Sequence, residues 1–245
     1  DPAASMDAVR ALFPKMLAWH RWWMENRCRD GAICITHPWE SGRDNCPDWD
    51  MAMANVDGSG VGEYTRRDTG HVDASMRPKK DEYDRYIAMV QFGRACGWDQ
   101  KEIVENGPFL VADPGITFIL TRANDDLAAL AQALGEDTSE IAGWQASLRA
   151  GVLSMWNPEI GAHDARDMRT GQFAGNLSSA AFLVYLTGAD TQSLDARLMR
   201  AWDAVPYGIP SADPEAPGFD ARRYWRGPSW PFLNALIAWG LKDAG

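Results

Sequence analysis

Residues 37 to 50 read His-Pro-Trp-Glu-Ser-Gly-Arg-Asp-Asn-Cys-Pro-Asp-Trp-Asp. This short stretch gathers four carboxylates (Glu40, Asp44, Asp48, Asp50), one fixed cation (Arg43) and two indoles (Trp39, Trp49). Gly42 and Pro47 force an irregular backbone between them. Carboxylates that exchange protons beside a sugar need such surroundings. An aromatic face stacks on the apolar C–H face of a pyranose, while charged and amide groups bind its hydroxyls. A helix cap with a structural tryptophan is the plainer reading of any short acidic stretch.

The elements that must position this loop are helical, and the fold class they predict is all-α. Met6, Val9, Phe13, Met16, Leu17 and His20 mark a first amphipathic helix, with His20 on its apolar stripe as a satisfied core histidine. Tyr83, Tyr86, Ile87 and Val90 mark another. The cleanest stripe runs from Ile116 through Leu120, Leu127 and Leu130 to Leu134, opened by the start signal Asp113-Pro114-Gly115. Ile141, Trp144, Leu148, Val152 and Met155 follow a turn at Gly135, and further helices are predicted near 176–187, 191–203 and 229–242. Sustained alternating strands are absent. Long linkers rich in Gly, Pro, Asp and Arg (37–49, 57–81, 157–175, 204–228) separate the helices, and connections of that length are usually functional. A helix, a long polar loop and then a helix pair is the pattern of an (α/α)6 toroid of helical hairpins, whose loops build a pocket at one end. The helices predicted are too few to close such a ring.

Composition narrows the partners. The chain has 245 residues, enough to bury a sizeable core in one domain, and a formal net charge of −10. An acidic chain without a Lys/Arg-rich run argues against nucleic acid, whose phosphates need a basic surface. Twelve tryptophans exceed what a core usually uses. Trp39, Trp49, Trp225 and Trp230 sit beside Gly, Pro, Arg or Asp, as pocket walls do, whereas Trp144 and Trp202 have helical core spacing. No apolar run approaches the roughly 20 residues a membrane span needs. The opening Asp-Pro-Ala-Ala-Ser-Met has no basic and apolar leader, so no signal peptide is expected. Cys28, Cys34, Cys46 and Cys96 lack Cys-x-x-Cys spacing and are expected to be free thiols in a reducing cytoplasm, with a Cys28–Cys34 bridge as the exception to watch. Neither His-Glu-x-x-His, nor a calcium loop, nor a Gly-rich phosphate loop, nor Gly-x-Ser-x-Gly occurs, so no metal or cofactor is expected.

Three segments together carry a family resemblance. His37 to Asp50 is similar to the signature loop of glycoside hydrolase family 63 and its trehalase relatives. Arg66-Arg-Asp-Thr-Gly-His-Val-Asp-Ala-Ser-Met-Arg-Pro78, followed by Glu82-Tyr-Asp-Arg-Tyr86, resembles the bacterial branch that hydrolyses mannosylglycerate and glucosylglycerate. Arg223-Tyr-Trp-Arg-Gly-Pro-Ser-Trp-Pro231 resembles that family's late loop-to-helix motif at the rim of the sugar pocket. The three keep the family's order and spacing, so the resemblance covers essentially the whole chain.

The resemblance implies an inverting hydrolase of a small α-glycoside, in which one carboxylic acid protonates the glycosidic oxygen and a second carboxylate activates water. The acid's position falls on Asp44. A general acid needs a raised pKa from partial burial and a neighbouring carboxylate. Trp39 and Trp49 are expected to supply its apolar wall and Glu40 the like charge, with Arg43 facing substrate or Glu40. Asn45 joins them as a substrate contact. Sugar contacts are expected for Tyr224, Trp225 and Arg226, and a packing role for Trp230. His71 and Asp73 either bind substrate or pin the long loop. Arg77 pairs with an acidic neighbour, unless it joins Arg66 or Arg67 as the cation for an anionic glycerate. Asp164, Arg166 and Asp167 look like a solvated turn. Cys46 replaces the family's usual Ser. The family's base motif has no match, so these residues are expected to form the toroid region of a single catalytic domain, 1–245, without the family's N- and C-terminal parts. Two other functions stay open: an oligosaccharide α-glucosidase or trehalase, and a non-catalytic sugar-binding remnant. An open ring would expose apolar helix faces, which a homodimer would cover.

Overall fold

Asp113 and Gly135 delimit the central helix, α5 (Pro114–Leu134). The Asp113 carboxylate accepts the Gly115 N–H at 2.8 Å, Pro114 fills the first turn, and Gly135 closes the helix at φ +75° with its N–H on the last carbonyls. The apolar stripe read from the sequence is its buried face, including Phe118, Leu127, Ala131 and Leu134. The computed structural model describes residues 2–70 and 72–244. Two helices flank α5: α1 (Pro2–Asn26), which places Phe13 against Leu127 and Leu134, and α6 (Ser139–Ser154), which adds Ile141 to the same cluster. The α5–α6 turn is short, as an antiparallel helix pair requires.

The remaining helices are α2 (Asp50–Ala54), α3 (Lys80–Ala95), α4 (Gln100–Asn106), α7 (Gln192–Asp203) and α8 (Pro231–Ala244). Single-turn 3-10 segments cover 38–41, 47–49 and 74–76. The helix expected near 176–187 is a fully buried 3-10 segment over 181–187, packed against α5 and α8. The first helix runs past His20 to Asn26, and His20 is buried against Asn124 as expected.

A small sheet was not legible in the sequence. β1 (Cys28–Arg29), β2 (Ala32–Ile35), β3 (Val111–Ala112) and β6 (Arg166–Asp167) pair antiparallel in that order, and β4 (Trp156–Asn157) pairs with β5 (Ala162–His163). Every residue of β2 is buried, so its Ala-Ile-Cys-Ile run shows no alternation. Gly31 and Gly151 let α6 cross the β1–β2 turn: a Cβ on Gly151 would sit 2.0 Å from the Gly31 carbonyl oxygen. Asp164 and Asp167 are buried, which corrects the solvated turn. Asp164 Oδ2 accepts Asn157 Nδ2 at 3.0 Å and the Gly175 N–H at 2.7 Å. All four cysteines are free thiols.

Candidate active site

The loop from His37 to Asp50 sends neighbouring side chains in opposite directions. Arg43 turns inward and is 3 % exposed. Its Nη1 donates to Asp48 Oδ2 at 2.7 Å and its Nη2 to Asp113 Oδ1 at 2.7 Å, which ties the loop to the start of α5. Its guanidinium lies 4.8 Å from the centre of the Trp49 ring, and Trp49 Nε1 donates back to the Arg43 carbonyl at 2.7 Å. Arg43 therefore points into the core and not at Glu40, because two buried carboxylates hold it. Trp49, 1 % exposed, packs edge-on to Phe109 in the core. Glu40 turns to the other side of the loop: Arg27 Nη2 reaches it at 2.7 Å and the Thr36 N–H at 2.8 Å. It supplies structure there, not a like charge beside Asp44.

Asp44 remains half-buried on the open side, where all three motifs meet. Its carbonyl accepts the Tyr86 hydroxyl from α3. Next to it, Asn45 Nδ2 donates to the Tyr224 carbonyl at 2.9 Å, and the Tyr224 N–H donates to the Met76 carbonyl at 3.0 Å. The first motif is thus hydrogen-bonded to the third, and the third to the second. Arg223 Nη2 holds Glu82 at 2.8 Å, and Glu82 caps α3 by accepting the Lys79 N–H at 2.7 Å.

The electrostatics around Asp44 are opposed. Burial pushes its carboxyl up from the ordinary value. Its own backbone N–H, the Arg77 guanidinium and the Tyr224 hydroxyl pull it down, and the Asp68 carboxylate adds to the upward push. Arg77 lies over the Tyr224 ring, 4.3 Å from its centre, and its Nε donates to Asp68 Oδ2 at 3.3 Å. Arg66 grips the same carboxylate with Nε at 3.0 Å and Nη2 at 2.6 Å, and donates Nη1 to the Pro78 carbonyl at 2.7 Å. These two arginines hold Asp68 below the usual carboxylate range.

Trp39 is 43 % exposed and presents a free face beside Tyr83 and Tyr86, its ring centre 6.2 and 5.8 Å from theirs. His37 braces it: Nδ1 accepts the Trp39 N–H at 3.0 Å and Nε2 faces the Tyr86 carbonyl at 3.1 Å. Burial pushes His37 down to about 4, which keeps the neutral ring these roles require.

The third motif is mostly internal. Trp225 holds φ +60°, is 1 % exposed and stacks on Trp230 at 4.4 Å and 14°, which places its ring in the core and not on the open wall of a pocket. Arg226 is buried and grips Asp50 with both Nη groups. Asp73 is exposed and accepts the Ser75 N–H at 2.9 Å, which caps the 74–76 turn. His71 lies outside the described residues. Asp68, Tyr86 and Asp113 were missed as site residues, and Asp48 stands in the sequence only as one of the loop's four carboxylates. Asp68 and Tyr86 stand inside the quoted motifs and could have been found there, while nothing in the sequence joins Asp113 to Arg43.

The family model for the mannosylglycerate hydrolase MGH1-like glycoside hydrolase domain matches residues 1–245. The chain belongs to this family. Mannosylglycerate hydrolase MGH1 of Selaginella moellendorffii is 44 % identical over 253 residues, covering all of this chain and 52 % of that protein. Glucosylglycerate hydrolase of Mycolicibacterium hassiacum is 32 % identical, over 94 % of this chain and 55 % of that protein. The crystal structure of a GH63 mannosylglycerate hydrolase from Thermus thermophilus, in complex with Tris and D-glycerate, superimposes with a TM-score of 0.95 at 40 % identity, over the whole chain and 61 % of that structure. The chain spans about half the length of the curated relatives it matches. Among the described residues no group of His, Cys, Asp and Glu is arranged to hold a metal ion, and no helix is long and apolar enough to cross a membrane.

Proposed function

We propose that this chain carries the general acid of an inverting hydrolase of a small α-glycoside of glycerate, mannosylglycerate or glucosylglycerate, and that the acid is Asp44. The observation that carries the reading is the meeting of three motifs around one half-buried carboxylate, on which the Arg77 charge acts. A general acid must be protonated at working pH, and burial favours that form. Trp39 offers the sugar a stacking face. Arg77 is the cation for the glycerate carboxylate. Arg66 is committed to Asp68 and Pro78, while Arg77 gives Asp68 only Nε, and among the described residues its Nη groups have no hydrogen-bond acceptor. Asp68, held down by two arginines, is a poor base, so the carboxylate that activates water is assigned to no residue here.

The names of the relatives support glycerate glycosides over trehalose or an oligosaccharide. Three further readings belong to the same proposal. The helices are hairpins of an (α/α)6 toroid forming one catalytic domain, and the free thiols sit in a cytoplasmic setting. A homodimer covers exposed Met199, Trp202 and Trp239, and a monomeric mass by light scattering would sink that last reading. The decisive experiment compares hydrolysis of both glycosides by the wild type and Asp44→Asn. Turnover should vanish in the variant while the circular dichroism spectrum and melting curve stay unchanged. Undiminished turnover would remove Asp44 from the role.

A further inference from the structure

The surroundings of Asp44 and Arg77 do more than hold an acid and an anion side by side. The groups facing Asp44 come from three segments: Arg77 and Asp68 from the 64–78 loop, Tyr83 and Tyr86 from α3, and Tyr224 from the late loop. Asp68 is neutralised by Arg66 and Arg77, and the tyrosines are uncharged hydroxyls at neutral pH. Two arginines share that one carboxylate, which leaves the cluster one positive charge in excess, and Arg77 is its cation that acts on Asp44. The Tyr224 ring lies under this guanidinium, and the Tyr224 backbone carbonyl and N–H are hydrogen-bonded to Asn45, next to Asp44, and to Met76, next to Arg77, so one residue links both partners.

We propose that Arg77 couples the charge of the aglycone to the acid: an anion seated on Arg77 drives a proton onto Asp44. This rests on the reading of Asp44 as general acid and Arg77 as the cation for glycerate. With the site empty, Arg77 favours ionised Asp44, the form that cannot donate. A carboxylate bound to Arg77 cancels that field and brings a negative charge of its own, and both changes favour protonated Asp44. By linkage, protonating Asp44 must tighten the anion in return. The substrate thus shifts its catalyst toward the acid form, a shift that a neutral glycoside of the same size does not produce. Selection for an anionic aglycone then resides in the chemical step as well as in binding.

The test is calorimetric titration of the chain with D-glycerate in buffers of different ionisation enthalpy, which counts protons taken up on binding and needs no turnover. The wild type should take up protons, and the uptake should be lost in Asp44→Asn. Tyr224→Phe removes a hydroxyl that favours ionised Asp44 and keeps the ring under Arg77. It should therefore move the pH of greatest uptake upward, an arm that stands even if Asp44→Asn binds poorly. Binding without uptake, or uptake that persists in Asp44→Asn, would overturn the coupling and leave the site reading standing. No binding of D-glycerate to the wild type would overturn the site reading and the coupling with it.

Discussion

Replacing Arg43 by Met should destabilise the chain more than any other single change in the acid loop. The Arg43 guanidinium is buried between Asp48 and Asp113, both at 2.7 Å, and the three side chains are 4, 1 and 0 % exposed. Removing one partner of a buried ion pair leaves an uncompensated charge and costs about 3–5 kcal/mol. Here two carboxylates lose the same cation, so the upper part of that range applies, against a total stability of about 5–15 kcal/mol for a typical domain. Lysine keeps the charge but not the fork that reaches both carboxylates, so Arg43→Lys should fall between. The loss should also depend on pH. Burial already pushes Asp113 up, and Arg43 is its main counterweight. Without Arg43 the folded carboxyl rises further above its unfolded value, the native state binds more protons than the unfolded chain, and stability increases as pH falls. The deficit of Arg43→Met should therefore shrink from pH 7 to pH 5. Adding Asp113→Asn, which removes one charge and retains a capping residue, should restore part of it. Urea unfolding followed by tryptophan fluorescence and circular dichroism gives each number. A loss below about 1 kcal/mol, or the same loss at both pH values, would refute the account of a charge-compensated core.

Two further changes probe other parts of the molecule. Trp39→Ala removes an exposed platform, so it should raise KM for the glycerate glycosides about tenfold with little change in melting temperature; an unchanged KM would remove Trp39 from the sugar site. His163 is buried between Phe118 and Trp156, 5.3 Å from each ring, and burial pushes it down to about 4. It contributes stability that is lost as pH falls below about 6.5, where the unfolded imidazole binds a proton that the native one refuses. His163→Phe should therefore gain stability relative to wild type between pH 7 and pH 5, and a constant difference across that range would contradict the buried neutral ring. Comparing the two proteins cancels the opposite trend from Asp164, which burial pushes up to about 6.

The sequence displays what is local. The edges of α5 are legible because Asp113, Pro114 and Gly135 act through their own backbones. The three motifs are legible as strings, and Asp44 lies where they meet. What stays hidden is direction. An irregular loop has no period, so nothing in Arg43-Asp44 says which residue points inward. That is decided by Asp113, seventy positions away. The same holds for Trp225, where composition suggests a pocket wall but a left-handed φ turns the ring onto Trp230. It holds again for Asp164, whose Oδ2 accepts the Gly175 N–H across a loop. Strand β2 was missed for a different reason: four wholly buried residues carry no pattern to read.

The direction of Asp44 follows from its neighbours. Arg43 before it is locked to Asp48 and Asp113, and Asn45 after it, 2 % exposed, is locked to the Tyr224 carbonyl. The carbonyl of Asp44 itself is held by Tyr86. With both flanking side chains and the peptide fixed, the carboxyl has little freedom beyond its own χ angles, and it opens toward Tyr224 and Arg77. A proton donor gains from such restriction because the entropy of orienting it is removed before substrate arrives. On the proposed reading of Asp44, the buried charges around Arg43 act on catalysis by fixing the acid. Damage there should lower kcat before it raises KM, since the proposed glycerate cation, Arg77, stands on another segment and Trp39 is braced separately by His37.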